Sequence, residues 1–259
     1  MLRSVLHDCL FLNWALPVEQ LAPPPSPLRY QPHLFEGRSH TFASLLLCHR
    51  DAPLPGLPPV GYPELHLRFT VLDGDGLPSL LCRRVLLPLW VLPGKLLTGA
   101  PAVSGARLSF PRPSRKVDSD QWTWRIDHGG RVEIEARLNS PRVGEGPSVG
   151  SWEQTVRYFQ DRPRVYVEEG GGLRRLAGIP PMATVWPMVT ELTGVDVIAR
   201  WLLAGENGHR PSLPALHSSW LCPDVPLAYS PRPVPLLRLT GPIPQPAVGR
   251  IATGGWAAL

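Results

Sequence analysis

Two stretches of this 259-residue chain carry side chains that could do chemistry. The first is LPLWVLPGKLL (87–97), in which Lys95 is the only polar side chain. Lysine is scarce here: of 26 basic residues only Lys95 and Lys116 are lysines. An ammonium set in apolar sequence has two fates. The commoner one is to snorkel, with the methylenes on apolar surface and the charge in water. The other is a dry pocket, where desolvation lowers the amine's pKa and the neutral form can build a Schiff base with a carbonyl compound. The second stretch is ELHLR (64–68). Side chains alternate along a strand, so Glu64, His66 and Arg68 share one face. On an open sheet that face is solvated, the reading favoured for Arg68 and, less firmly, for Glu64 beside the aromatic Tyr62. In a closed barrel the same three groups line the lumen and are available to a polar ligand.

Other motifs carry less. GPSVG (146–150) has the G-x-S-x-G spacing of a nucleophile elbow, and HGG (128–130) resembles an oxyanion loop. An elbow needs a buried strand entering the turn, and SPRVGE (140–145) is not one, so a surface loop is expected. The eight histidines show no metal-ligand spacing, and no metal or cofactor is expected. His33, His40 and the Cys48-His49 pair could gather, but no spacing demands it. The glycine-rich stretches are not followed by a lysine and a helix, which argues against a phosphate-cradling loop. Cys9, Cys48, Cys82 and Cys222 are far apart with no CxxC pair. They read as reduced, mostly buried thiols of a cytoplasmic protein.

The elements that must position these residues are mostly strands. Thirty-three prolines block helix interiors and favour short strands and loops. ELHLRFTVL (64–72) alternates apolar and polar residues, DGDG (73–76) turns, and LPSLLCRRVLL (77–87) returns. A second hairpin joins QWTWRI (121–126) to RVEIEARL (131–138) through DHGG (127–130). A third joins RVYVEE (164–169) to LRRLAGI (173–179) through GGG. PVEQL (17–21) predicts one short helical turn or two, with Pro17 suited to the first helical position. DVIARWLLAGENG (196–208) predicts the main helix, capped by Asp196 and ended by Gly205 or Gly208. From about residue 210 prolines recur, predicting an extended segment tethered to a single domain spanning 1–259.

The formal charge is +5 and the arginines are scattered, with PRPSRK (111–116) the only dense basic run. That is not the contiguous basic face a nucleic-acid partner needs. No signal peptide and no membrane span is expected, since the longest apolar run near Lys95 is interrupted by prolines and is too short.

Together these features resemble one family. LFLNWALPVEQL (10–21) looks like the opening strand and short helix of acetoacetate decarboxylase-like proteins, and most closely of their uncharacterised bacterial branch. FEGRSHTFASLLL (35–47) resembles that branch's next strands, YPELHLRFTVL (62–72) its Y-x-E strand, and LPGKL (92–96) the decarboxylase P-K-K-L segment. RYFQDRPRVYVEE (157–169) and HSSWLCPDVPLAYSPRP (217–233) resemble the branch's C-terminal half. The resemblance implies a β-rich (α+β) fold: an acetoacetate decarboxylase-like β-barrel and sheet assembly with a few short helices around a central cavity. It also implies that the first lysine of P-K-K-L forms the Schiff base and the second lowers its pKa. Gly94 stands at the first position and Lys95 at the second. Glu64 matches the Y-x-E glutamate. The decarboxylase's N-terminal arginine falls near His7, with Arg3 close by, and its Arg-Glu pair is replaced by Leu87 and Pro88. A one-residue shift lets Lys95 take the nucleophile's place, without a charged neighbour to tune it.

The functional expectation is a cavity protein that binds a small organic carbonyl or carboxylate ligand without decarboxylating acetoacetate. Tyr62, His66, Arg68 and Trp90 are the expected binding residues. One alternative is a Schiff-base lyase with Lys95 as amine and Glu64 as proton donor or acceptor. Another is a non-catalytic scaffold, which a barrel filled by side chains would favour. A homo-oligomer is compatible with either.

Overall fold

The protein is described by a computed structural model covering residues 2–54, 57–92, 103–112, 121–140, 143–144, 146–169, 172–179, 185–203 and 212–229. Gly94, Lys95 and Lys116 lie outside the described residues. The strands are β1 (Leu2–Pro17), β2 (Arg29–Tyr30), β3 (His33–Phe35), β4 (Arg38–Leu54), β5 (Leu57–Leu72), β6 (Pro78–Pro88), β7 (Val103–Ser109), β8 (Gln121–Asp127), β9 (Arg131–Leu138), β10 (Arg162–Glu169), β11 (Gly172–Ile179), β12 (Trp186–Thr193) and β13 (Ser218–Tyr229). The helices among the described residues are α1 (Trp152–Gln160) and α2 (Val195–Leu202), with a single 3-10 turn at Val18–Gln20.

All three predicted hairpins form, as β5–β6, β8–β9 and β10–β11. Their turns have local causes. At the β5–β6 turn the Asp73 carboxylate accepts hydrogen bonds from the backbone N–H groups of Asp75 and Leu77, each at 3.0 Å. At the β8–β9 turn Gly130 has φ +140°, and a Cβ there would stand 2.7 Å from Val197. Only glycine satisfies both constraints.

Strand pairing closes a nine-stranded barrel in the order β6-β7-β8-β9-β12-β13-β1-β4-β5 and back to β6. The expected barrel is therefore present, but its inside is packed. Leu10, Leu12, Trp14, Leu45, Leu47, Leu65, Leu67 and Phe69 meet Trp122, Trp124, Ile126, Val132 and Ile134 in one buried cluster, which Ile198 and Leu202 of α2 join. Trp124 is wholly inaccessible.

A second, smaller enclosure uses the same wall. β10 runs parallel to β6 and pairs with β11, and β11 lies along β13. The wall β13-β1-β4-β5-β6 thus separates a filled barrel on one face from the space under β10, β11 and α1 on the other. α1 lays Val156 and Phe159 against Phe11, Phe42 and Trp220 of that other face.

α1 was not anticipated. Its start was legible: Ser151 and Gln154 form a capping box in which each side chain accepts a backbone N–H of the other residue. α2 begins at Val195 after Gly194, whose φ is +72°, and no side chain caps it. The expected Asp196 cap therefore fails, because Asp196 already lies inside the helix. The extended segment expected from about 210 contains β13, which pairs with β1 along its length and with β12. Ser148 of GPSVG is exposed on a loop, as expected. All four cysteines are free and buried. No helix among the described residues is long and apolar enough to cross a membrane.

Candidate functional site

The second face of the shared wall carries the polar chemistry. On β5 the even-numbered residues Tyr62, Glu64, His66, Arg68 and Thr70 are all buried. The odd-numbered Leu65, Leu67, Phe69 and Val71 point into the filled barrel. The solvated reading of Arg68 and Glu64 is overturned: they are 4% and 1% exposed. The strand has no solvent face, because both sides of the wall are covered. Nor do these groups line the closed barrel, since apolar side chains occupy it.

Register places further groups beside them. Cys48 of β4 stands opposite Glu64, Leu46 opposite His66, Ser44 opposite Arg68, and Arg50 opposite Tyr62. Cys82 of β6 stands opposite Arg68. On β1 a bulge between His7 and Leu10 changes which residues face this side. Before it Leu6 does so, and after it Cys9 and Phe11 do. Cys9 in turn pairs with Cys222 of β13. Three cysteines scattered in sequence, Cys9, Cys48 and Cys82, thus gather around one arginine–glutamate–histidine set, with Cys222 behind Cys9. Strand register brings them together, and no motif spacing could have shown it. Arg50 and Ser44 were missed for the same reason.

The charged groups form a chain along the strands. Arg50 Nε donates to Glu64 Oε2 at 2.8 Å. His66 Nε2 lies 2.8 Å from the same oxygen, and Arg68 Nη2 lies 3.2 Å from His66 Nδ1. A guanidinium can only donate. Nδ1 of His66 is therefore the acceptor, and Nε2 carries the proton given to Glu64. The imidazole is held neutral. Its pKa falls to about 4, first through burial and then through the Arg68 charge, against the opposing pull of Glu64. Arg50 has its charge held firmly: burial opposes it, but Glu64 more than compensates and its pKa is raised.

Arg68 is in a different position. Its Nε has no hydrogen-bond partner. Its electrostatic neighbours are the thiols of Cys82, Cys48 and Cys9 and the like charge of Arg50, and burial pulls its pKa down. Burial pushes the Cys82 thiol up to about 11 and that of Cys222 to about 12, and raises that of Cys9 well above the usual thiol value. No carboxylate among the described residues pairs with Arg68. A buried cation with an empty donor is an expensive arrangement unless an anion completes it.

A cation is a poorer fit. Cys48 Sγ, a Glu64 oxygen and a His66 nitrogen lie within 4.8 Å of one another, a grouping that could hold a metal. Arg50 and His66 already use the carboxylate, however, and both imidazole nitrogens are engaged. A metal ion would have to displace a guanidinium and then sit between two of them.

The remaining expected residues divide. Tyr62 is buried against Leu87 and Val91 at the same end of the face as Glu64. Trp90 is 63% exposed and touches the set only through an edge-on ring contact with Tyr62 at 6.1 Å. His7, near the position of the family's N-terminal arginine, pairs with Asp51 and Asp224 instead.

No family model matches the chain and no curated sequence does, so the narrower resemblance to an uncharacterised bacterial branch rests on motifs alone. Solved structures do match in fold. The enduracididine biosynthesis enzyme MppR, complexed with the condensation product of pyruvate and imidazole 4-carboxaldehyde, superposes with a TM-score of 0.52 at 12% identity, over 88% of this chain and 86% of that one. The same enzyme complexed with pyruvate gives 0.51 at 12% identity over 88% and 87%. An acetoacetate decarboxylase-like enzyme from Sphingomonas wittichii RW1 gives 0.50 at 13% identity over 87% and 90%. At such identities the likeness is one of fold.

Proposed function

Starting from an acetoacetate decarboxylase-like fold, we propose that this protein binds a small organic carboxylate on the buried polar face of its shared wall. Arg68 takes the carboxylate, because on this face it is the buried charge left without a counter-ion among the described residues. The neutral His66 and the Arg50–Glu64 pair fix the guanidinium's orientation and supply a carboxylate–imidazole unit beside the ligand. Gly94, at the position where the decarboxylase's Schiff-base lysine stands, speaks against decarboxylation of acetoacetate. The neighbour that holds pyruvate makes 2-oxo acids the natural first probes.

The filled nine-stranded barrel is the outcome that the scaffold reading anticipated, and that barrel offers no ligand site. The opposite face supports binding over scaffolding, since an inert wall has no use for an unpaired buried arginine. Calorimetric titration with pyruvate and acetoacetate tests this. Wild-type protein should bind at least one, and Arg68→Met should lose that binding at least tenfold while staying folded. Equal affinity in both proteins would overturn the assignment. The lyase reading is tested in the same samples by borohydride trapping. A stable adduct on Lys95 would install it, and its absence with bound 2-oxo acid would leave binding without imine chemistry.

A further inference from the structure

A second buried arginine lies outside the set just described. Arg162 is the first residue of β10 and only 2% exposed. Its Nη1 donates to Gln31 Oε1 at 2.6 Å, and its guanidinium carbon lies 4.1 Å from the centre of the Tyr158 ring. Its Nε and Nη2 have no hydrogen-bond partner, and no ion pair involves it among the described residues. Tyr158 interacts with the guanidinium, and its hydroxyl also lies 2.6 Å from His33 Nε2. Burial and the Arg162 charge together lower the pKa of His33, so that ring stays neutral.

Compensation for this charge is incomplete. The ring face and the C-terminal end of α1 both favour a cation. Neither accepts the hydrogen bonds of Nε and Nη2, which point the same way in a guanidinium fork and fit two oxygens of one carboxylate. Buried donors left empty are costly unless something fills them. Gln160 adds an unpartnered buried amide N–H, two residues from Arg162. The Asp161 carboxylate, one residue away, favours the charge through space but forms no ion pair with the guanidinium, so the two donors stay empty. Gln31, His33 and Tyr158 beside it are each half-buried.

We propose that Arg162 forms a second carboxylate-binding site, at the junction of α1 and β10, independent of Arg68. One carboxylate accepts from Nε and Nη2 while Gln31 and Tyr158 hold the guanidinium in place. The two parallel N–H groups of the fork match the two oxygens of a carboxylate.

The test reads the arginine itself in the intact wild-type chain. Arginine Nε–H resonances of 15N-labelled protein are followed during titration with acetate, and the Arg162 signal is assigned by its loss in Arg162→Lys. The Arg162 Nε–H resonance should shift saturably, and should do so equally in Arg68→Met. Arg162→Lys should weaken this acetate binding at least tenfold, because an ammonium cannot offer the fork. An Arg162 resonance that stays fixed while Arg68 responds would overturn the second site and leave the first intact. The same result without any Arg68 response would count against both. A shift at Arg162 that disappears in Arg68→Met would overturn independence. Should Arg162→Lys not fold, assignment through the neighbouring Gln31→Ala leaves the wild-type titration decisive.

Discussion

The two faces of the wall β13-β1-β4-β5-β6 are built from the same strands, residue by residue in alternation, and they serve opposite ends. One face puts Leu45, Leu47, Leu65, Leu67 and Phe69 into a closed, filled barrel. The other, one residue out of step, carries Arg50, Glu64, His66 and Arg68 with three thiols. Both are buried, so burial alone does not distinguish a core from a site. What differs is whether the groups are satisfied. The apolar face needs nothing beyond packing. The polar face satisfies Arg50, Glu64 and His66 internally and leaves Arg68 for something else.

Mutations should therefore separate the satisfied groups of either face, whose loss destabilises, from Arg68, whose loss should not. The largest effect is expected from the filled barrel. Trp124→Ala should lower unfolding free energy by ~4 kcal/mol, measured by urea denaturation, with no change in ligand affinity beyond that due to unfolding. On the polar face, Arg50→Met breaks a buried pair and leaves Glu64 with a partner fewer, so a loss of ~3 kcal/mol is expected. A loss below that of a surface substitution would show the pair to be solvated.

A pH dependence follows next. The folded pKa of His66 is lowered to about 4 from the usual 6.5. Between those values the unfolded chain binds a proton that the folded chain does not. Stability is thus complete above pH 6.5 and is lost as pH falls toward 4, by on the order of 2–3 kcal/mol. His49, held to about 4 mainly by burial and next by Arg112, contributes in the same window. Urea midpoints at pH 7 and pH 4.5 for His66→Gln and His49→Gln should each show a shallower loss than wild type. An unchanged slope in His66→Gln would mean that its neutral state is not enforced.

Arg68→Met gives the sharpest contrast. It removes a buried charge without a counter-ion, so stability should rise by ~1 kcal/mol while 2-oxo acid binding falls. A destabilisation like that of Arg50→Met would place Arg68 among the structural pairs. The smallest effect concerns the helix covering this face. Ser151→Ala removes one half of the capping box of α1 and should cost ~1 kcal/mol, visible as a lower melting temperature.

Much of the local structure was readable in advance. Alternation in ELHLRFTVL and RVEIEARL defined strands, and DGDG and DHGG placed turns, because these signals act between near neighbours. The capping box at Ser151 was equally local and went unread. The candidate site was readable only in part. Glu64, His66 and Arg68 were grouped correctly on one face, since alternation requires it, but their environment was misjudged. A period-two pattern states that two faces differ and is silent on what covers each.

The sequence by itself determined which residues form strands, which of them share a side, and that lysine is almost absent. These are consequences of backbone geometry and composition. Only the tertiary structure decided that one wall serves two enclosures, that a bulge at His7–Leu10 turns Cys9 toward Cys48, and that Arg68 and Arg162 are buried with no ion pair among the described residues. Those facts depend on pairing between strands far apart in the chain. Register and desolvation are properties of the assembled sheet, and no single segment contains them.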